Sequence, residues 1–369
     1  MVLIIRKKQF AETSSEKQGV STSVQQNLVH EMIYWMRERQ AMYRRRFDQG
    51  LPADQWTSDP VLKAWRFCNV FRELDKVTIW IRENWRNPYD GHERLPFAMC
   101  VARMFNSPDS LAQIGFPETW DKEAIKERLH AMHNEQAVFN SAYMITNAGS
   151  TKNKIDLVID DFLTPLWENP MLIDPRSLKN TWQILRGYDG FGDFMAYEVV
   201  SDLRHTSFLR NAKDIYTWAN AGPGAKRGLN RIFCRPVNNS ISPFQAQEEM
   251  QNLLRICKEE LYHDDPMFQD LEMRDIEHSL CETDKYLRAK MDGRQLKQAY
   301  GENAPVRRNS GLCTNRYSSM VDRIRMILEA KNQETFTREE VFEVIDRIRS
   351  EGGLRAAAAK KQEDEVHDG

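Results

Sequence analysis

The chain has 369 residues, with 52 Lys and Arg against 54 Asp and Glu; its formal net charge of −2 argues neither for nor against a nucleic-acid partner. No apolar run approaches the roughly 20 residues that cross a bilayer, and the opening Met1-Val-Leu-Ile-Ile-Arg6 is too short to be a signal peptide. A cytoplasmic setting without a membrane partner is therefore expected. The six cysteines form no Cys-x-x-Cys pair, which excludes a four-cysteine zinc site and points to free thiols. His278-x-x-Cys281 has ligand-like spacing but no second pair, so no metal site is expected.

Residues 1–24 are polar and read as a disordered arm. A helix is predicted from about Val24 to Phe47, with Leu28, Met32, Trp35 and Met36 at spacings of three and four and a stop at Gly50 and Pro52. Its Arg44-Arg45-Arg46 end reads either as a solvated terminus that suits the helix dipole or as a phosphate contact. Asp59-Pro60 opens a second helix, with Asp as cap and Pro in the first turn. It is expected to carry Trp65, Phe67, Val70 and Phe71, then Val77, Ile79, Trp80, Ile81 and Trp85. Further helices are predicted over 95–105, 122–133, 155–169 and 175–185, and late ones near 318–331 and 337–350. Strand signals are sparse, so the fold class is all-α. The expected division is an N-terminal helical lobe over 25–150, a second lobe over 151–300, a helical extension over 301–350 and a disordered tail over 351–369.

The most specific local signal is Leu185-Arg-Gly187-Tyr-Asp-Gly190-Phe-Gly192-Asp-Phe-Met-Ala196. A helix ends, the chain turns through glycines, and an apolar helix begins. The Gly-hydrophobic-Gly-x-x-x-Ala spacing is that of a helix-hairpin-helix. Glycine lets the backbone approach a phosphate, and the amides of the new helix point at its oxygens. Gly187, Gly190, Gly192 and the nearby Lys213 are thus candidate DNA-backbone contacts; a plain helix-helix turn is the alternative.

From Asp202 to Pro236 seven Arg or Lys face two Asp. Within this stretch, Gly222-Pro-Gly224-Ala-Lys226-Arg227-Gly228-Leu-Asn230-Arg231 reads as a glycine-rich, donor-rich turn running into a helix. Lys226, Arg227 and Arg231 suit an anionic group, either DNA phosphate or a pyrophosphate leaving group. No Gly-x-x-x-x-Gly-Lys-Ser/Thr occurs, which argues against a nucleotide kinase site in this chain. Glu277, His278, Glu282 and Asp284 fall at helical spacing; a solvated polar face and an amine-recognition or acid/base site both fit.

Several segments together resemble a known family. They are Tyr34–Arg39, Trp65-Arg66-Phe67-Cys68-Asn69-Val70-Phe71-Arg72-Glu73, the Gly187–Asp202 hairpin, Trp218–Arg231 and Arg274–Tyr286. They look like the helical proteins of phage thymine hypermodification. That group includes amino acid:DNA transferases, also called α-glutamyl/putrescinyl-thymine pyrophosphorylases, and the helical domain of 5-hydroxymethyl-deoxyuridine DNA kinases. The resemblance spans roughly residues 28–300.

It implies a two-lobed fold like that of helix-hairpin-helix DNA glycosylases, with a DNA and base cleft between the lobes. It also implies an enzyme that replaces the pyrophosphate or phosphate of 5-pyrophosphomethyl-deoxyuridine in double-stranded DNA with an amine such as an amino acid or polyamine. A 5-hydroxymethyl-deoxyuridine DNA kinase is an expected partner. No cofactor is expected beyond magnesium carried by pyrophosphate oxygens. In that superfamily an essential aspartate follows the hairpin glycines at about the distance of Asp214, so the resemblance implies a catalytic Asp214. Arg66, Asn69, Arg72, Glu73, Glu277, His278 and Asp284 would recognise the base or the amine. Bifunctional members carry a lysine where this chain has Phe194, so lyase chemistry is not expected. Two other classes stay open: a modified-pyrimidine glycosylase, and a non-catalytic DNA-binding subunit of the kinase.

Overall fold

The computed structural model describes residues 22–140, 145, 149–296 and 299. The N-terminal arm, the expected late helices and the tail lie outside the described residues. Helix α1, Thr22–Phe47, buries Met32, Trp35 and Met36 on one stripe, as the spacing predicts. It ends where the Arg44 carbonyl accepts from Asp48 and Gln49 and Gly50 takes φ +63°. The basic triplet is spent internally. Arg44 pairs with Asp265 (Nε–Oδ2 2.6 Å), Arg45 with Glu38 (2.8 Å), and Arg46 covers the rings of Phe47 and Trp56.

Asp59 caps α2, Pro60–Ala64, accepting from the amides of Val61 and Leu62 at 2.8 and 2.9 Å. The long helix expected through Trp85 is not formed. The chain turns extended at Trp65, makes a 3₁₀ turn at Arg72–Leu74, and resumes as α3, Lys76–Ile81, which widens into a π-helical turn at Arg82–Arg86. Phe67, Val70 and Phe71 are buried without being helical because side chains satisfy the backbone there. The Cys68 amide donates to Glu282 (3.0 Å), the Cys68 carbonyl accepts from Arg39 (3.0 Å), and the Asn69 amide donates to Asp75 (3.0 Å).

Helices α4 (Leu95–Phe105), α5 (Pro108–Ile114) and α6 (Lys122–His133) follow. Then α7 (Lys154–Asp156) runs through a π-helical stretch, Leu157–Leu163, into α8 (Thr164–Glu168). The remaining helices are α9 (Leu178–Leu185), α10 (Asp193–Leu203), α11 (Pro223–Ile232), α12 (Pro243–Leu261) and α13 (Met273–Lys290). Among the described residues no strand forms, and Trp65 and Ala299 make an isolated bridge. The all-α expectation holds for the described chain.

Two compact units interleave along the sequence. One gathers the chain up to Gly91 with Ile173–Gln183 and the part from Val200; the other holds His92–Leu172 with Ile184–Val199. A single cut near residue 150 does not separate them. Within the first unit α1, α2, α11 and α12 all pack on α13, joining residues more than 200 positions apart. Within the second, α4 is buried along its whole length. Phe97 meets Trp120 and Trp167 edge-on at 4.9 and 5.2 Å, and Arg94 lies 3.8 Å over Trp167.

The glycine turn between α9 and α10 belongs to the second unit. Gly190 takes φ +81°, and a Cβ there would run into the ring of Phe162. Two constraints therefore demand glycine at that position, one conformational and one steric. Gly187 and Gly192 are exposed, and nothing lies within 4 Å of a Cβ built on Gly192.

Candidate functional site

Helix α13 organises the first unit through two polar faces. Glu277, Cys281, Asp284 and Arg288 recur at the three- and four-residue spacing of one face, which meets α11. The approach is close because α11 presents glycines. A Cβ on Gly224 would overlap the Cys281 sulfur, and one on Gly228 would overlap the Leu280 carbonyl oxygen. The expected glycine-rich anion turn is thus corrected. Gly222 caps the helix, but Gly224 and Gly228 lie inside it and serve helix packing.

On this face Asp284 is fully buried, accepts from two arginines and forms an ion pair with a third. Arg227 Nε reaches Oδ2 at 2.9 Å, Arg231 Nε reaches Oδ1 at 3.0 Å, and Arg288 Nε lies 3.4 Å from Oδ2. Arg231 also holds Asp292 at 2.8 Å. Glu277 accepts from Arg274 (3.1 Å) and from the Gly222 amide (3.4 Å). Lys226 has no ion-pair partner among the described residues.

The other face, His278, Glu282 and Lys285, meets the segment Trp65–Asp75. Glu282 takes the Cys68 amide, and Lys285 donates to the Arg66 carbonyl (2.5 Å) and pairs with Glu282 (3.3 Å). Arg66 turns its side chain outward. Asn69 braces the loop by donating to the Leu74 carbonyl and to Asp75, both at 2.9 Å. Arg72 Nη1 donates to Asp75 (2.9 Å) and lies 3.8 Å from the Cys68 sulfur.

Donor atoms of Cys68, Asp75 and His278 all fall within 4.8 Å of one another, a spacing that could hold a metal ion. Asp75 is already bonded to Asn69 and Arg72, however, and burial pushes the Cys68 thiol well above its ordinary range. The guanidinium supplies the cation this cluster needs, so the residues present do not fit a bound metal.

Glu73 belongs to a deeper network. It forms a bidentate pair with Arg86, which also reaches Asp202 at 3.4 Å, and His205 lies 3.5 Å away. Burial opposes charge on Glu73, but the Arg86 hydrogen bond and the facing cations hold its carboxyl below the usual range. Burial pushes His205 down to about 4. Asp275 is pushed up to about 7, chiefly by burial, with the neighbouring carboxylates of Glu272 and Glu73 adding to it.

Asp214 has a defined structural task. Its Oδ2 accepts from the Ser177 hydroxyl (2.8 Å) and the Lys179 amide (3.0 Å), and its Oδ1 from the Leu178 amide (2.8 Å). It therefore caps the N-terminus of α9, and residues 213–217 around it form turns. Lys213 is exposed, with its amide on the Arg176 carbonyl (2.9 Å).

Of the residues singled out in the sequence, Arg66, Asn69, Arg72, His278 and the Glu282 neighbourhood come together, as do Arg227, Arg231, Glu277 and Asp284. The solvated-face alternative for α13 is corrected, since Glu277, His278, Glu282 and Asp284 are all buried. Sequence reasoning missed Arg288, which its position four residues after Asp284 on a helix could have disclosed, and it missed Asp75.

These features define an all-helical domain that buries an ion-pair network along one central helix, and the comparisons place it. The chain belongs to the family described as "5-hmdU DNA kinase, helical domain", which it matches over residues 26–295. It is similar to a 5-hmdU DNA kinase of Bacillus phage SP10, with 31% identity over 280 residues that cover 68% of this chain and 43% of that protein. The chain thus spans less than half of that relative's length. No solved structure matches. Among the described residues no helix is long and apolar enough to cross a membrane.

Proposed function

We propose that this chain works in phage thymine hypermodification as a transferase, exchanging the pyrophosphate (or phosphate) on the 5-methylene of a modified deoxyuridine in DNA for an amine. One observation carries the reading. Two of the segments that carry the family resemblance, Trp65–Glu73 and Arg274–Tyr286, fold against each other with Glu277, His278, Glu282 and Asp284 buried, a cost that a domain with only a packing role has no need to bear. The family match and the phage kinase relative support the pathway.

In the reaction the amine nitrogen donates its lone pair to the 5-methylene carbon. The carbon–oxygen bond breaks, pyrophosphate leaves with that electron pair, and the new ammonium loses one proton. The base must leave the helical stack to be reached. Gly187, Gly190, Gly192 and Lys213 would hold the DNA backbone in a helix-hairpin-helix manner. Lys226, Arg227 and Arg231 would take the leaving group, and Glu277 or His278 would accept the proton. Asp214, offered as the catalytic residue by resemblance, would act by holding α9. Magnesium would enter only through pyrophosphate oxygens.

The test is mass spectrometry of nucleosides after incubating the protein with duplex DNA carrying 5-pyrophosphomethyl-deoxyuridine and a mixture of amino acids and polyamines. A new thymidine adduct with release of pyrophosphate is expected. A free base and an abasic site would replace this reading with glycosylase chemistry.

The cap on α9 favours a second reading, since three accepted hydrogen bonds leave Asp214 a single lone pair, on Oδ1, for proton transfer. The chain would then be a non-catalytic helical domain that presents DNA to a kinase. Intact substrate in the same experiment, with salt-dependent DNA binding, would establish it.

A further inference from the structure

Asp284 holds Arg227 and Arg231 by hydrogen bonds through Nε, the inner nitrogen of the guanidinium, and Arg288 Nε stands 3.4 Å from Oδ2 as an ion pair without a hydrogen bond. An Nε contact uses the side edge of the guanidinium and leaves its end edge, Nη1 with Nη2, to other acceptors. Arg231 spends one Nη on Asp292. Among the described residues nothing accepts from the Nη atoms of Arg227 or Arg288, and their side chains are 34% and 33% exposed. Both guanidiniums have Oδ2 as their nearest carboxylate oxygen, which brings the two cations to one end of Asp284.

The charge count points the same way. Three guanidiniums face two carboxylates, Asp284 and Asp292, leaving one positive charge uncompensated. A buried carboxylate ringed by more cations than it can neutralise does little for stability that one arginine would not do. It does hold flexible cations in fixed directions, which is what bidentate recognition of phosphate oxygens requires.

We infer that Arg227 and Arg288, gathered by Asp284, form a two-pronged site for a phosphoryl group, with Arg231 as its inner brace. This deepens the proposed function and rests on it for the identity of the natural ligand: the pyrophosphate of the modified base, or a phosphate of the DNA backbone. It also changes the part assigned to Asp284. Its oxygens face arginines, so it positions the anion site and does not recognise an amine.

The experiment is calorimetric titration of the full chain with inorganic pyrophosphate, without DNA or amine, paired with titration of unmodified duplex DNA at fixed salt. The wild type should bind pyrophosphate saturably, and Arg288→Gln should weaken it roughly tenfold or more, the loss of one or two charge-assisted hydrogen bonds. Arg288→Lys keeps the charge without the fork and should recover only part of the affinity; it carries the test if the glutamine variant unfolds. Asp284→Asn separates positioning from simple electrostatics. Losing a negative charge would by itself tighten anion binding, whereas a lost brace loosens it, and loosening is expected.

Arg288→Gln that weakens pyrophosphate but not unmodified duplex identifies the leaving group as the ligand. Equal weakening of both, with pyrophosphate competing against duplex, identifies the backbone. Absence of saturable pyrophosphate binding, or binding unchanged in the Arg227→Gln/Arg288→Gln double variant, overturns the site. Because no turnover is measured, that failure is distinct from a failure of transfer chemistry in the nucleoside assay.

Discussion

Gly228 on α11 lies against the carbonyl of Leu280 on α13, so close that a methyl group in place of its hydrogen would overlap the Leu280 oxygen. Neither group can yield, since both belong to helix backbones. Gly228→Ala should therefore push the helices apart and destabilise the protein by about 1–3 kcal/mol or more, read as a lowered Tm. Gly224 meets a side chain instead, the Cys281 sulfur. Gly224→Ala should be rescued in large part by Cys281→Ala, while Gly228→Ala should not. An unchanged Tm for Gly228→Ala would mean that the two helices are not in this register.

The cap on α9 makes Asp214 a test of role. Asp214→Ala removes the acceptor for two amides and a hydroxyl and should cost about 1 kcal/mol, with a loss of Tm in the absence of any substrate. Asp214→Asn keeps one oxygen and should lie between. If Asp214→Asn retained wild-type Tm yet lost all transfer, the residue would be catalytic in its own right.

How far the sequence discloses this protein depends on which signal is read. Apolar spacing finds α4 and α6 to the residue and α1 nearly so, because local periodicity and a clear stop coincide there. It fails between Trp65 and Phe71, where the aromatic pattern is that of a buried segment but the side chains of Arg39, Asp75 and the distant Glu282 supply backbone partners. It also misassigns Gly224 and Gly228. Glycine in a basic segment reads as a loop, and only the partner helix reveals that its job is close approach. The grouping of Trp65–Glu73 with Arg274–Tyr286 was legible by resemblance. Their burial was not, because a run of charges at helical spacing ordinarily faces water.

Two titrating groups, His205 with its side chain 36% exposed and Asp275 half-buried, set opposing pH dependences. Burial lowers His205 from 6.5 to about 4, so the folded protein keeps it neutral; its contribution is complete above the unfolded value and is lost as pH falls from 6.5 through 4. Asp275 is raised from 3.8 to about 7, so the folded protein keeps it protonated; its contribution is complete below 3.8 and is lost as pH rises through 7. Asp275→Asn retains an acceptor for the Glu272 amide, now 2.9 Å from Asp275. Its Tm relative to wild type should rise between about pH 5 and about pH 8. A constant difference over that range would show that Asp275 is ionised throughout.

The exposed glycines of the α9–α10 turn give a test of DNA contact that spares the fold. A Cβ on Gly190 would strike Phe162 and demand a left-handed backbone, so loss of binding in Gly190→Ala would confound contact with unfolding. Gly192 has open space where a Cβ would be, so Gly192→Ala should leave Tm unchanged. If a phosphate rests on the amides that open α10, the added methyl stands in its way, and duplex affinity should fall severalfold with a shallower dependence on salt. Filter-binding or anisotropy titrations across a range of salt would read both quantities at once. Unchanged affinity in Gly192→Ala would remove the turn from the DNA-binding surface and leave the basic stretch of α11 as the better candidate for that contact.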